Sequence, residues 1–239
     1  MAAHEAGHVE FGTYRLTLEP LADLILAVRQ KYGSAKQAVP DNLVSLFRLY
    51  PHSGLIQDLW MLIEDARVEF LLQREYPGLR RDLQQFAREA ITTRSLTHGL
   101  TVKELVVDQL LQLSTAASQP VAIHEAIKGE IAILWPMCEA ILSPTATAEE
   151  AMRLAHDLYL RLEELLAPKG AMIQADQADD ASEDLGVGPS SSEQTGDDYR
   201  PVTNWAYRGA MNPEFIRQQD RDESVVDDQK QSEEIERMA

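Results

Sequence analysis

The stretch LWMLIEDARVEFLLQREYPGL, residues 59–79, constrains the fold more than any other part of the chain. Its apolar residues recur at helical spacing and no proline interrupts it before Pro77, so it reads as one long, very apolar helix. Such a helix must be covered by others. Yet Glu64, Asp65 and Glu69 sit among its apolar residues, and a carboxylate buried there is costly unless it is paired or coordinates a cation. Arg67 is one partner at hand, and a metal ion is the other.

Helical spacing continues through most of the first 167 residues, with no convincing series of alternating strands. The fold class expected is therefore all-α, a multi-helix bundle or array followed by an acidic, largely disordered tail. Helices are expected at roughly 2–11, 18–31, 42–49, 54–74, 79–92, 102–113, 121–142 and 148–166. Asp41 is placed to cap the third, while Thr101 with Glu104 and Thr147 with Glu150 have the spacing of capping boxes. Pro77-Gly78, His98-Gly99 and Ser143-Pro144 mark connections.

Three parts follow from composition. Residues 1–167 form the helical domain. Over 168–198 Asp, Glu, Ser, Gly and Ala replace the large apolar residues, and no face there buries enough to offset chain entropy, so a disordered linker is expected. Residues 199–239 hold an aromatic island, from Tyr199-Arg200-Pro201 to Trp205-Ala206-Tyr207, and a charged, partly helical end. The island is expected either to fold back on the helices or to dock on another domain or chain.

After residue 167 there are 17 acidic against 7 basic side chains, over half of the formal charge of −17. A chain so acidic lacks the Lys and Arg that displace counterions from phosphate, so it is not expected to bind nucleic acid or anionic membrane surfaces. No run of 18 apolar residues occurs, which argues against membrane insertion. The single cysteine, Cys138, reads as a small buried hydrophobe. With no secretory leader at the start, a cytoplasmic location is expected.

Near the start lies His4-Glu5-Ala6-Gly7-His8. On a helix, residues four apart share a face, so the two imidazoles can converge on Zn²⁺, with Glu5 beside them. In zinc hydrolases of this pattern the Glu is the general base for a water whose pKa the metal lowers to about 7. Glu5 is therefore the candidate catalytic residue. A third ligand is needed, and the apolar helix supplies it: Glu64 is preferred, with Asp65 or Glu69 as alternatives that replace it or orient a histidine from behind. The competing reading packs His4 and His8 against Glu64 or Asp65 without metal. His52, His98, His124 and His156 read as surface or capping residues, and no GxxxxGK or GxSxG motif is present.

Three stretches, HEAGHVEFGTYRL, IEDARVEFLLQREYPGLRRDL and DDYRPVTNWAY, together resemble the NorD/CbbO family. Those are large cytoplasmic proteins with a helical N-terminal region and a C-terminal von Willebrand factor A domain, working with MoxR-type AAA+ ATPases. The resemblance implies a non-enzymatic adaptor or scaffold whose partner is a MoxR-type AAA+ ATPase, an A-domain protein, or both. The intact histidine motif implies a metallopeptidase-like branch, so a zinc-dependent hydrolase is the alternative, and an inactive helical fragment is a third. The A domain's DxSxS stretch is absent, and the chain is expected to be a fragment of the family's full architecture.

Overall fold

The computed structural model of the chain describes residues 2–33, 38–93, 100–115, 121–178 and 199–202, with backbone alone at 2, 92, 93 and 167–178. Among the described residues the fold is all-α, without strands. It comprises α1 (Ala2–Glu10), α2 (Ala22–Lys31), α3 (Leu43–Phe47), α4 (Ser53–Glu75), α5 (Arg80–Thr93), α6 (Val102–Thr115), α7 (Lys128–Glu139) and α8 (Ala148–Ala178).

Helix α4 is the axis. Leu55, Ile56, Leu59, Trp60, Leu62 and Ile63 are each at most 2% exposed, and α1, α3, α5, α6 and α8 all pack on it. The most extensive of these contacts is with α8, whose inward stripe is Ala151, Met152, Ala155, Leu158, Tyr159 and Leu162. That stripe has the three- and four-residue spacing of a single helix face, and its two small alanines let the axes approach. α7 completes the layer by packing on α6 and α8.

Both capping boxes form. The Thr101 and Thr147 backbone N–H groups donate to Glu104 and Glu150 at 2.8 Å each, and the reciprocal bonds from Glu104 N–H and Glu150 N–H to the threonine hydroxyls are 3.3 and 3.2 Å. Helix α3 differs slightly from expectation. Asn42, not Asp41, is its cap, and Asp41 instead accepts from the Ser45 hydroxyl.

Two boundaries move further. α7 starts at Lys128 rather than near residue 121, because the Gln109 side chain holds the His124 N–H at 3.1 Å in extended backbone before a 3-10 turn at Glu125–Ile127. α8 continues past Pro168 to Ala178, into the stretch expected as linker. Beyond Pro168 and Gly170 the stretch holds Ala, Met and Gln, which are good helix formers. The rest of the expected linker, and the expected tail beyond 202, lie outside the described residues.

Residues 199–202 do fold back on the helices. The Tyr199 hydroxyl and the Val202 N–H both donate to Asp58 Oδ2, at 2.6 and 2.8 Å. Arg200 donates to Glu104 through its backbone N–H and Nε at 2.8 and 3.1 Å, and through Nη2 at 3.2 Å. Asp58 on α4 and Glu104 on α6 are buried, so this short segment satisfies two acids of the helical layer. Burial opposes it, but hydrogen bonds from Arg200 and Thr101 hold the Glu104 carboxyl below its ordinary range.

Candidate metal centre

α1 carries His4 and His8 one turn apart, and both are buried against α4. Its close approach depends on Gly7. A Cβ there would lie 2.8 Å from Val68 Cγ1 and 2.9 Å from Leu72 Cδ1, inside van der Waals contact with two buried side chains of α4. After α1 the chain turns at Gly12, whose φ of 80° is readily adopted only without a Cβ, and enters a 3-10 turn at Thr13–Arg15. Arg15 reaches back to the Val9 and Glu10 carbonyls at 3.4 and 3.3 Å, placing a cation at the negative end of α1.

Two pairs of residues four apart therefore face each other: His4 and His8 on α1, Asp65 and Glu69 on α4. His8 Nε2 lies 3.1 Å from His4 Nε2 and 3.3 Å from Asp65 Oδ1, and His4 Nε2 lies 3.5 Å from the same oxygen. A tetrahedral zinc site with bonds of about 2.0–2.1 Å has ligand-to-ligand edges of about 3.3–3.4 Å. The three measured separations bracket that value, so His4, His8 and Asp65 form a cluster that could hold a metal ion on one tetrahedral face. The rings stand at 83° to each other, which lets both Nε2 atoms aim at a common point without stacking.

Each far nitrogen also has a polar neighbour. His8 Nδ1 is 3.0 Å from Thr13 Oγ1, and His4 Nδ1 is 3.9 Å from Glu69 Oε1. Partners behind the ligands are what orient imidazoles in metal sites.

Glu64, the preferred third ligand from the sequence, does not join the cluster. Its carboxylate takes two hydrogen bonds from Arg67, at 2.8 Å from Nε and 2.5 Å from Nη2, and a short one from the Thr13 hydroxyl. Adjacent helix positions point about 100° apart, so only one of Glu64 and Asp65 can face α1's histidines. Asp65 takes that place and Glu69 stands behind His4, as the two alternatives allowed. Arg67 further donates to the Phe11 and Ala146 carbonyls, at 3.1 and 3.2 Å, tying the end of α1 and the loop before α8 to α4. Of the two resolutions offered for the buried acids, the arginine serves Glu64, while Asp65 stands with His4 and His8 in the cluster that could hold a metal ion.

Glu5, next to His4, is half-buried. Burial, then the charge of Glu5 and a hydrogen bond to it, then the charge of Asp65 raise the Tyr14 phenol above its ordinary pKa. The Tyr14 ring meets His8 edge-on at 6.2 Å.

No family model, curated protein or solved structure matches this chain.

The remaining candidates take ordinary roles. His124 caps the 3-10 turn before α7 by accepting from Ala126 N–H, and His156 bonds the Tyr50 hydroxyl at 2.9 Å. His52 lies 3.4 Å from Lys103 Nζ. His98 falls outside the described residues. Cys138 is buried, which pushes its thiol up to about 12 and keeps it un-ionised. Among the described residues no helix is long and apolar enough to cross a membrane.

Gly7, Thr13 and Tyr14 escaped the reading of the sequence. Gly7 and Thr13 had a usable signal: a glycine inside a histidine-bearing helix suggests a close approach, and a Gly-Thr just after it suggests a turn that brings a hydroxyl back.

Proposed function

We propose that the chain carries a mononuclear zinc centre of the HExxH hydrolase type, held by His4, His8 and Asp65, with Glu5 as general base. The observation that supports it is the triangle of 3.1, 3.3 and 3.5 Å among two imidazole nitrogens and a carboxylate oxygen. Two imidazoles and one carboxylate suit Zn²⁺ better than Mg²⁺ or Ca²⁺, which prefer oxygen, and three protein ligands leave a fourth position open. When bound, zinc supplies a Lewis acid that brings the pKa of water toward neutrality. Glu5 then takes the proton, and Tyr14 holds the carboxylate in place.

Elemental analysis of the purified chain should find about one zinc per molecule. Glu5→Gln should keep that zinc while peptide or ester hydrolysis falls by at least about 100-fold. Equal hydrolysis by wild type and Glu5→Gln would sink the catalytic reading and leave a structural metal.

A second reading has its own support. The clasp of Tyr199, Arg200 and Val202 on Asp58 and Glu104 tethers whatever follows residue 202 to the helical domain. That suits a cytoplasmic, NorD/CbbO-like adaptor joining a MoxR-type AAA+ ATPase to an A-domain protein. The expected result is co-purification with such an ATPase, weakened by Arg200→Glu, and recovery of neither partner counts against it.

A further inference from the structure

We propose that Thr13 is a positioning residue that locks the tautomer of His8, presetting its Nε2 as a metal-ligating atom. The proposal deepens the zinc reading, but its first half stands without metal.

A threonine hydroxyl has one proton to give. Here it is given to Glu64, whose carboxylate is an acceptor only and is held by two hydrogen bonds from Arg67. Arg67 is fixed in turn by the Phe11 and Ala146 carbonyls, so Glu64 has no slack with which to swing away. Thr13 Oγ1 can then only accept from His8 Nδ1, 3.0 Å away, and the proton of a neutral His8 must sit on Nδ1. Its Nε2 is left with a lone pair facing His4 Nε2 and Asp65 Oδ1.

Thr13, Glu64 and Arg67 are at most 1% exposed, so no bulk water competes for the hydroxyl. The left-handed backbone at Gly12 and the 3-10 turn that follows aim the side chain inward. The two histidines are not equivalent. His8 Nδ1 has the Thr13 hydroxyl at 3.0 Å, whereas His4 Nδ1 faces the Glu69 carboxylate at 3.9 Å.

The test has two arms. Imidazole ¹⁵N spectra of the metal-free wild type should show His8 as the Nδ1–H tautomer. Thr13→Ser should retain it and Thr13→Val should lose it. In zinc competition titrations Thr13→Val should bind about 10–100-fold more weakly than wild type, and Thr13→Ser within about threefold. His8 found as the Nε2–H tautomer in wild type overturns the lock, and Thr13→Val binding zinc as tightly as wild type overturns the presetting of His8 as a ligand. A wild type that takes up no zinc, yet shows the Nδ1–H tautomer that Thr13→Val loses, overturns the zinc reading and leaves the lock standing.

Discussion

Asp65→Asn should weaken zinc binding by about 100- to 1,000-fold while leaving the metal-free protein within about 1 kcal/mol of wild type. The affinity figure follows from sharing the roughly 10–16 kcal/mol of a four-ligand zinc site among its ligands, at about 2.5–4 kcal/mol each. The small stability change follows from the chemistry of the site without metal. Asp65 there is a buried carboxylate 3.3 and 3.5 Å from two imidazole nitrogens, and a neutral amide of the same shape sheds a desolvation cost as it gives up those contacts. Competition with a zinc chelator measures the first quantity, and urea unfolding in the presence of a strong chelator measures the second. Asp65→Asn protein that holds zinc like wild type would remove Asp65 from the ligand set.

Arg67→Met should have the opposite profile, destabilising the metal-free fold by about 3–5 kcal/mol. It leaves Glu64, which is fully buried, with an uncompensated charge, and it strips a donor from the Phe11 and Ala146 carbonyls. A domain of this kind has only about 5–15 kcal/mol in total, so the loss should be plain in the urea midpoint. Adding Glu64→Leu to Arg67→Met should restore most of it, since an apolar pair replaces a buried ion pair at little cost. A single-variant loss below about 1 kcal/mol would mean that water reaches Glu64, against its burial. Two neighbouring acids on one turn, 64 and 65, thus face different partners: Glu64 an arginine that ties the fold, Asp65 the two imidazoles of α1.

Much of this architecture is written in local patterns. Most helix ends among the described residues sit close to where apolar spacing places them, and the boxes at Thr101 and Thr147 form because a threonine and a glutamate three residues apart need nothing beyond their own backbone. His4 and His8 share a face for the same reason: four residues is one helical turn. Where local spacing competes with a distant side chain, it loses. The start of α7 waits for Gln109, and residues 199–202 lie on α4 and α6 because Asp58 and Glu104 are there to receive them.

The choice among Glu64, Asp65 and Glu69 belongs to this second kind. Spacing along α4 says that the three carboxylates are about a turn of one another, but not which way that turn faces when α1 arrives. That angle is set by contacts between helices, chiefly Gly7 letting α1 down onto Val68 and Leu72, and Arg67 pinning the end of α1 at Phe11. Residue types and their intervals thus specify helices, caps and a set of candidate metal-ligating side chains. Rotation of one helix against another is a property of packed surfaces far apart in the chain, and only the assembled molecule selects Asp65 over its neighbour.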